Sequence, residues 1–252
     1  MKAKMVLRGN GIARREFLGG SALLLTGHLV TRTIPVLAQK ASVPASAGPV
    51  DPALIEDLVA ANRILAQQGV VDAQGHVSVR HNRDPNRYII SRSLAPELVT
   101  ADDLMEYDLD SNPVNAAGRS QYLERFIHGE IYKVRPDVRA VVHNHSPAMV
   151  AFSLSSVPLR PIHPGSGFIG EGLPAFDFAD FRDVGGIQML VNNGDLGRGL
   201  ARALGNKPAV LMRAHGAAVV GPSLPFVVGR SIWLEWNAGR SEERRVGKEC
   251  RL

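Results

Sequence analysis

Between residues 52 and 69 apolar side chains recur at helical spacing. Leu54, Ile55, Leu58, Val59, Ile64 and Leu65 share one stripe, Pro52 suits a first turn and Gly69 a stop, so the pattern predicts an amphipathic helix. The period then shortens to that of strands at GHVSVR (75–80), RYIISR (87–92) and LMEYDLD (104–110), the last entered through a one-turn helix at Asp102 and Asp103. Residues 120–134 read as a helix, Pro136 and Asp137 as a turn, and VRAVVHNHS as a strand. Pro147 opens a further helix carrying Met149, Val150 and Phe152. Residues 158–183 are rich in proline and glycine and long for a connection, which suits part of a site better than idle surface. IQMLVNN, the helix LGRGLARALG with Gly205 as its cap, the strand AVLMRAHGAAVVG and a helix from about Leu224 to Asn237 follow. Strands alternating with helices predict one α/β domain over residues 51–239, and that alternation alone suggests a parallel sheet.

The two ends break the pattern. Residues 39–50, QKASVPASAGPV, have the composition of a linker. Before them, Arg14 and Arg15 precede a short apolar segment (17–30) that contains His28, and Val36-Leu37-Ala38 offers a cleavage point. RREFL within residues 1–38 resembles a twin-arginine export signal, which implies passage through the twin-arginine translocase to the periplasm, or a cytoplasmic protein if the start is misassigned. Residues 240–252 lack an apolar period, and RSEERRVGKEC resembles translated sequencing adapter, so this tail is expected to be non-native. Its Cys250 is the chain's one cysteine, too few for a disulfide framework.

Composition changes little: 45% hydrophobic and 21% charged residues fit an ordinary globular chain. The net charge of +5 hints at nucleic acid, but the basic excess sits at the ends, and residues 39–239 hold 18 basic against 20 acidic side chains. A phosphate-binding face is therefore not expected.

Candidate chemistry centres on histidine. In an extended strand His143 and His145 project to the same face, while Asn144 points away. His215 closes another apolar strand beside Gly216, and Glu124 lies on the helix leading into the His143 strand. Three imidazoles and a carboxylate suit Zn²⁺ or a related divalent ion such as Mn²⁺. Spacing alone leaves a pair of core histidines as an equal alternative. His81 reads as a solvated turn residue.

RFIHGEIYKVRPDVRAVVHNHSPAMVAFS, preceded by Glu124 and followed by KPAVLMRAHGAAVVG, resembles the class II aldolase/adducin family over residues 53–239. The resemblance implies a single-domain α/β/α sandwich around a largely antiparallel sheet, assembled as a homotetramer with sites between subunits. It also implies metal ligation by His143, His145 and His215, with Glu124 a further ligand or the catalytic acid/base. The adducin branch lacks these residues, so their presence points to an enzyme.

Where sugar-phosphate members carry Gly-Asn-x-Ser and a small hydroxyl-and-glycine turn, this chain reads Gly75-His76-Val77-Ser78 and Ser91-Arg92-Ser93-Leu94-Ala95-Pro96. His76, Ser78, Arg80, Ser91 and Arg92 are thus expected to bind substrate, with either arginine able to pair with a carboxylate. His163, in RPIHPGSG, is a second candidate beside Glu124 for proton transfer. The sequence looks most like the branch that decarboxylates ring-cleavage products and hydroxy-aromatic acids. The implied activity is a metal-dependent lyase acting on a hydroxy or oxo carboxylic acid through a metal-stabilised enolate. The alternatives are an aldolase or epimerase on a hydroxy-carbonyl substrate, or a non-catalytic metal-binding member.

Overall fold

The computed structural model describes residues 43–249, with side chains through residue 241. The expected export signal and Cys250 lie outside the described residues. Helix α1 (Pro52–Gln67) starts where Asp51 accepts a hydrogen bond from the Ala53 amide at 3.0 Å, and buries Leu58, Ala61 and Leu65. Strands β1 (His76–Arg80), β2 (Arg87–Ser91) and β3 (Leu104–Asp108) follow, then α2 (Phe126–Val134), β4 (Ala140–Asn144) and α3 (Pro147–Leu154). The chain continues through β5 (Ala175–Phe176), α4 (Gly194–Leu204), β6 (Ala209–Met212), β7 (Gly216–Gly221) and α5 (Leu224–Glu249). Among the described residues no helix is long and apolar enough to cross a membrane.

The strands form one seven-stranded sheet in the order β3-β2-β1-β4-β7-β6-β5. Every pairing is antiparallel except β5 with β6, which bears out the largely antiparallel sheet implied by the family resemblance and corrects the parallel sheet that alternation alone suggested. The reason lies in the connections: AVLMRAHGAAVVG is a hairpin rather than one strand, and β1 and β2 also pair directly.

Alternate side chains divide the sheet into two faces. Val77, Val79, Val142 and Val219 pack with Leu58, Met149, Phe152 and Val227, placing α1, α3 and α5 on one side. Val141, Val220 and Val210 pack with Ile127, Ile131, Leu196 and Leu200, placing α2 and α4 on the other. The chain is therefore a three-layer α/β/α domain.

Three local expectations change. The helix expected over residues 120–134 is regular only from Phe126, because Glu124 has non-helical dihedrals (φ −90°, ψ 17°) in a preceding 3₁₀ turn. The long loop contains 3₁₀ turns at Pro164–Ile169 and Phe178–Val184 as well as the edge strand β5. Helix α5 continues past Asn237, whose side chain is buried and whose φ is not left-handed. The Asn237 carboxamide accepts from the Ile162 amide and donates to the Arg160 carbonyl, both at 2.8 Å, fastening the loop to the helix.

Candidate metal centre

The face of β4 that carries Val141 also carries His143, so the imidazole points toward the α2 side of the sheet. His145 lies one residue beyond the strand. His215 reaches the same place from the β6–β7 turn, not from a strand end as expected; its amide donates to the Met212 carbonyl at 3.0 Å. That turn is pinned to α3, where Ser153 Oγ accepts from the Ala214 amide at 2.9 Å. Gly216 is required by close approach: a Cβ there would sit 1.9 Å from the Asn144 carbonyl oxygen. Only glycine lets the turn lie against β4 and bring His215 to its partners.

Four donor atoms converge. His143 Nε2 is 3.0 Å from His145 Nε2 and 3.2 Å from His215 Nε2. Glu124 Oε2 lies 3.3 Å from His143, 3.8 Å from His145 and 3.2 Å from His215, each measured to Nε2. Donors bound tetrahedrally to a divalent ion at about 2.1 Å are about 3.4 Å apart, so these spacings fit a common centre.

The surrounding hydrogen bonds agree. His143 Nδ1 lies 3.1 Å from the Ala217 carbonyl, and His145 Nδ1 lies 3.0 Å from Asp72 Oδ1. Because a carbonyl and a carboxylate only accept, both Nδ1 atoms carry the proton and both Nε2 atoms present lone pairs. Lone pairs and a carboxylate oxygen facing one another this closely repel unless a cation lies between them. The donor set therefore fits a divalent metal ion.

Electrostatics follow the same geometry. Burial pushes the Glu124 carboxyl up, but the facing histidines, His143 foremost, hold it far below the usual carboxylate range. Its Oε1 accepts from the Val191 amide at 2.9 Å, leaving Oε2 for the centre. Burial lowers His143. Burial also opposes protonation of His145, yet Glu124 and Asp72 outweigh it and raise that group.

Glu124 and His76 line a cavity of about 220 Å³ together with Gln74, Ser93, Gln121 and Tyr122. Among the described residues Gln121 Oε1 is buried without a hydrogen-bond partner. A second cavity, about 490 Å³, begins at Ala214 and Phe178 beside His215.

The other expected site residues fall into different places. His76 is buried between Tyr122, His128 and His143, at ring-centroid distances of 4.4, 4.8 and 5.0 Å. Ser78 Oγ faces inward, 2.6 Å from His128 Nδ1 and 2.8 Å from Tyr132 Oη. Ser91 is buried, with Oγ 3.5 Å from Tyr122 Oη.

Arg80 is not available to a substrate: its buried guanidinium donates to the carbonyls of Val138, Pro85, Tyr132 and Arg135. Arg92 pairs with Asp103 through Nε, 2.7 Å from Oδ1. His163 is tied into its own loop. Its Nδ1 accepts from the Gly165 amide at 3.1 Å, Nε2 lies 2.5 Å from Ser166 Oγ, and the ring packs on Trp233, so both nitrogens are engaged away from the four-donor cluster. His81 is buried rather than solvated. Its Nδ1 accepts from the Arg83 amide and its Nε2 reaches the Gly48 carbonyl.

Asp72, Tyr122, His128 and Tyr132 carried no distinguishing sequence signal. Asp72 could be read only as a turn former, since Oδ1 also accepts from the Gln74 and Gly75 amides. Its contact with His145 spans 73 residues and exists only in the fold.

The chain is similar to known proteins over most of the described residues. Residues 56–239 match the Class II Aldolase and Adducin N-terminal domain. The chain is 38% identical to "Decarboxylase tropJ" of Talaromyces stipitatus over 195 residues, 73% of each chain. It is 32% identical to "3,4-dihydroxyphthalate decarboxylase" of Arthrobacter keyseri over 201 residues, 74% of this chain and 76% of that one. Among solved structures, L-fuculose 1-phosphate aldolase from Glaciozyma antarctica PI12 superposes with TM-score 0.62 at 26% identity over 78% of both chains. An aldolase II superfamily protein from Pseudomonas syringae, at 23% identity and TM-score 0.67 over 79% of both chains, shares the fold. The chain belongs to the class II aldolase/adducin family.

Proposed function

We propose that the protein is a divalent-metal-dependent lyase that decarboxylates a hydroxy-aromatic or oxo carboxylic acid. The observation that carries this reading is the convergence of Glu124, His143, His145 and His215 on one point. The relatives named as decarboxylases support the choice of reaction. When bound, the ion supplies Lewis acidity toward a carbonyl or phenolic oxygen of the substrate. The three histidines and Glu124 would hold it; Zn²⁺ suits nitrogen-rich, four-donor ligation, with Mn²⁺ as the second choice.

The remaining chemistry falls to residues lining the 220 Å³ cavity. Decarboxylation breaks the bond from carbon to carboxylate, the electron pair moves to the neighbouring carbonyl oxygen, CO₂ leaves, and a proton from water replaces it on carbon. His76 is placed to bind a substrate oxygen, and Gln121, whose Oε1 is otherwise unpartnered, is placed to accept a hydrogen bond from a substrate hydroxyl. Glu124, with one oxygen held by Val191 and the other facing the histidines, acts as a ligand. Ser78 and Ser91 support the cavity wall from behind.

An aldolase is the second reading, favoured by the likeness to L-fuculose 1-phosphate aldolase. A panel of hydroxy-aromatic acids, oxo acids and aldols offered to the Zn²⁺- and Mn²⁺-loaded protein, followed by mass, distinguishes the two. Released CO₂ supports the decarboxylase, and released aldehyde without CO₂ overturns it. The proposal extends to a homotetramer and to twin-arginine export to the periplasm, for which RREFL is the sequence support. Solution mass and cell fractionation test these separately.

A further inference from the structure

A row of buried polar side chains runs away from the cavity between β1 and α2. His76 Nδ1 lies 2.7 Å from His128 Nε2, His128 Nδ1 lies 2.6 Å from Ser78 Oγ, and Ser78 Oγ lies 2.8 Å from Tyr132 Oη. All four residues are buried. Alternation along β1 places His76 and Ser78 on one face, and the i, i+4 spacing of His128 and Tyr132 places that pair opposite them. His76 lines the cavity, and Nε2 is its one ring nitrogen not engaged by His128.

We infer that His76 acts as a neutral hydrogen-bond donor, through Nε2–H, to the substrate oxygen that gains charge as CO₂ departs, and that His128, Ser78 and Tyr132 hold it in that tautomer. The inference rests on the decarboxylase reading. With Tyr132 donating to Ser78, Ser78 to His128 Nδ1, and His128 Nε2–H to His76 Nδ1, every link is made and the last proton lies on His76 Nε2, at the cavity end of the row. Reversal of the chain would turn the Tyr132 hydroxyl to the Arg139 carbonyl at 3.5 Å, which already accepts from the Arg80 amide at 2.8 Å. An anionic oxygen in the cavity can only accept, so it selects the direction that leaves the proton on His76 Nε2. The chain donates a hydrogen bond and keeps its protons. Complete transfer from His76 would leave a tyrosinate at the far end, where burial pushes the Tyr132 hydroxyl well above its ordinary value. A neutral imidazole so fixed stabilises an oxyanion without being an acid.

His128, Ser78 and Tyr132 are positioning residues in this scheme. The test uses the full-length, Zn²⁺-loaded protein labelled with ¹⁵N-histidine, with and without 3,4-dihydroxybenzoate, the His76 signal being identified with His76→Gln. In the complex the proton is expected on Nε2, with Nδ1 bare; a proton on Nδ1, or no response of His76 to the probe, overturns the inference. Ser78→Ala should lower turnover at saturating substrate by about tenfold or more with KM and zinc content unchanged, and spread the His76 proton over both nitrogens. Wild-type turnover in Ser78→Ala also overturns it. If no carboxylic acid loses CO₂, the decarboxylase reading fails, and the tautomer measurement still reports on His76 separately.

Discussion

Asp72 and His145, 73 positions apart in the chain, meet through a carboxylate–imidazole contact of 3.0 Å that turns His145 Nε2 toward His143. A carboxylate behind a ligating histidine fixes its tautomer and makes its free nitrogen a better donor. Burial pushes the Asp72 carboxyl up, but hydrogen bonds from His145 and the Gln74 amide bring it below its ordinary value, so it is ionised at neutral pH. Asp72→Ala should weaken zinc binding by about 10- to 100-fold, read by chelator competition. Unchanged affinity would show that His145 needs no such support.

Glu124 contributes the negative charge among the four donors. Glu124→Gln keeps shape and size while removing that charge. The variant should fold, bind metal more weakly and lose turnover; circular dichroism, metal analysis and product assay check the three points. Turnover equal to wild type would remove Glu124 from the centre.

Gly216 governs whether His215 arrives. Gly216→Ala forces a methyl toward the Asn144 carbonyl and should cost about 3 kcal/mol of stability, visible in denaturant unfolding. Metal stoichiometry should fall with it, since the β6–β7 turn cannot then approach β4. Full zinc content in a folded Gly216→Ala protein would contradict this account.

Arg80 tests the distinction between a binding arginine and a structural one. Its four carbonyl contacts predict that Arg80→Met lowers stability by about 2–4 kcal/mol, and KM for a carboxylic acid substrate should stay as in the wild type. A large rise in KM without loss of stability would return Arg80 to the substrate.

Acid should destabilise the metal-free protein through its buried histidines. Burial, followed by the nearby His143, lowers His128 from 6.5 to about 3, and burial lowers His76 in the same direction. The unfolded chain takes up these protons near pH 6.5 while the folded chain refuses them. The stability that these two histidines contribute is therefore complete above that value and declines as the pH falls from 6.5, for His128 toward about 3. Denaturant midpoints measured across that range should show the decline, and His128→Gln should flatten it.

Some of this was legible from the order of residues. The i, i+2 pair His143 and His145, the His-Gly step at 215–216 and the apolar periods of α1, β1, β2 and β4 are local patterns, set by backbone geometry over a few residues. Sheet direction was not legible from local pattern, because AVLMRAHGAAVVG has the same composition as one strand or as two and pairing along β4 and β6 distinguishes them; the family resemblance, rather than the alternation, implied the antiparallel sheet. The roles of Arg80, His81 and His163 were likewise beyond local reading, since a polar side chain reveals its use through partners supplied by distant segments. The same holds for Asp72 behind His145 and for the row from His76 to Tyr132. Short-range pattern set which donors the chain possesses; long-range packing set which of them share a point, because the distances that permit ligation or hydrogen bonding are created when the layers close.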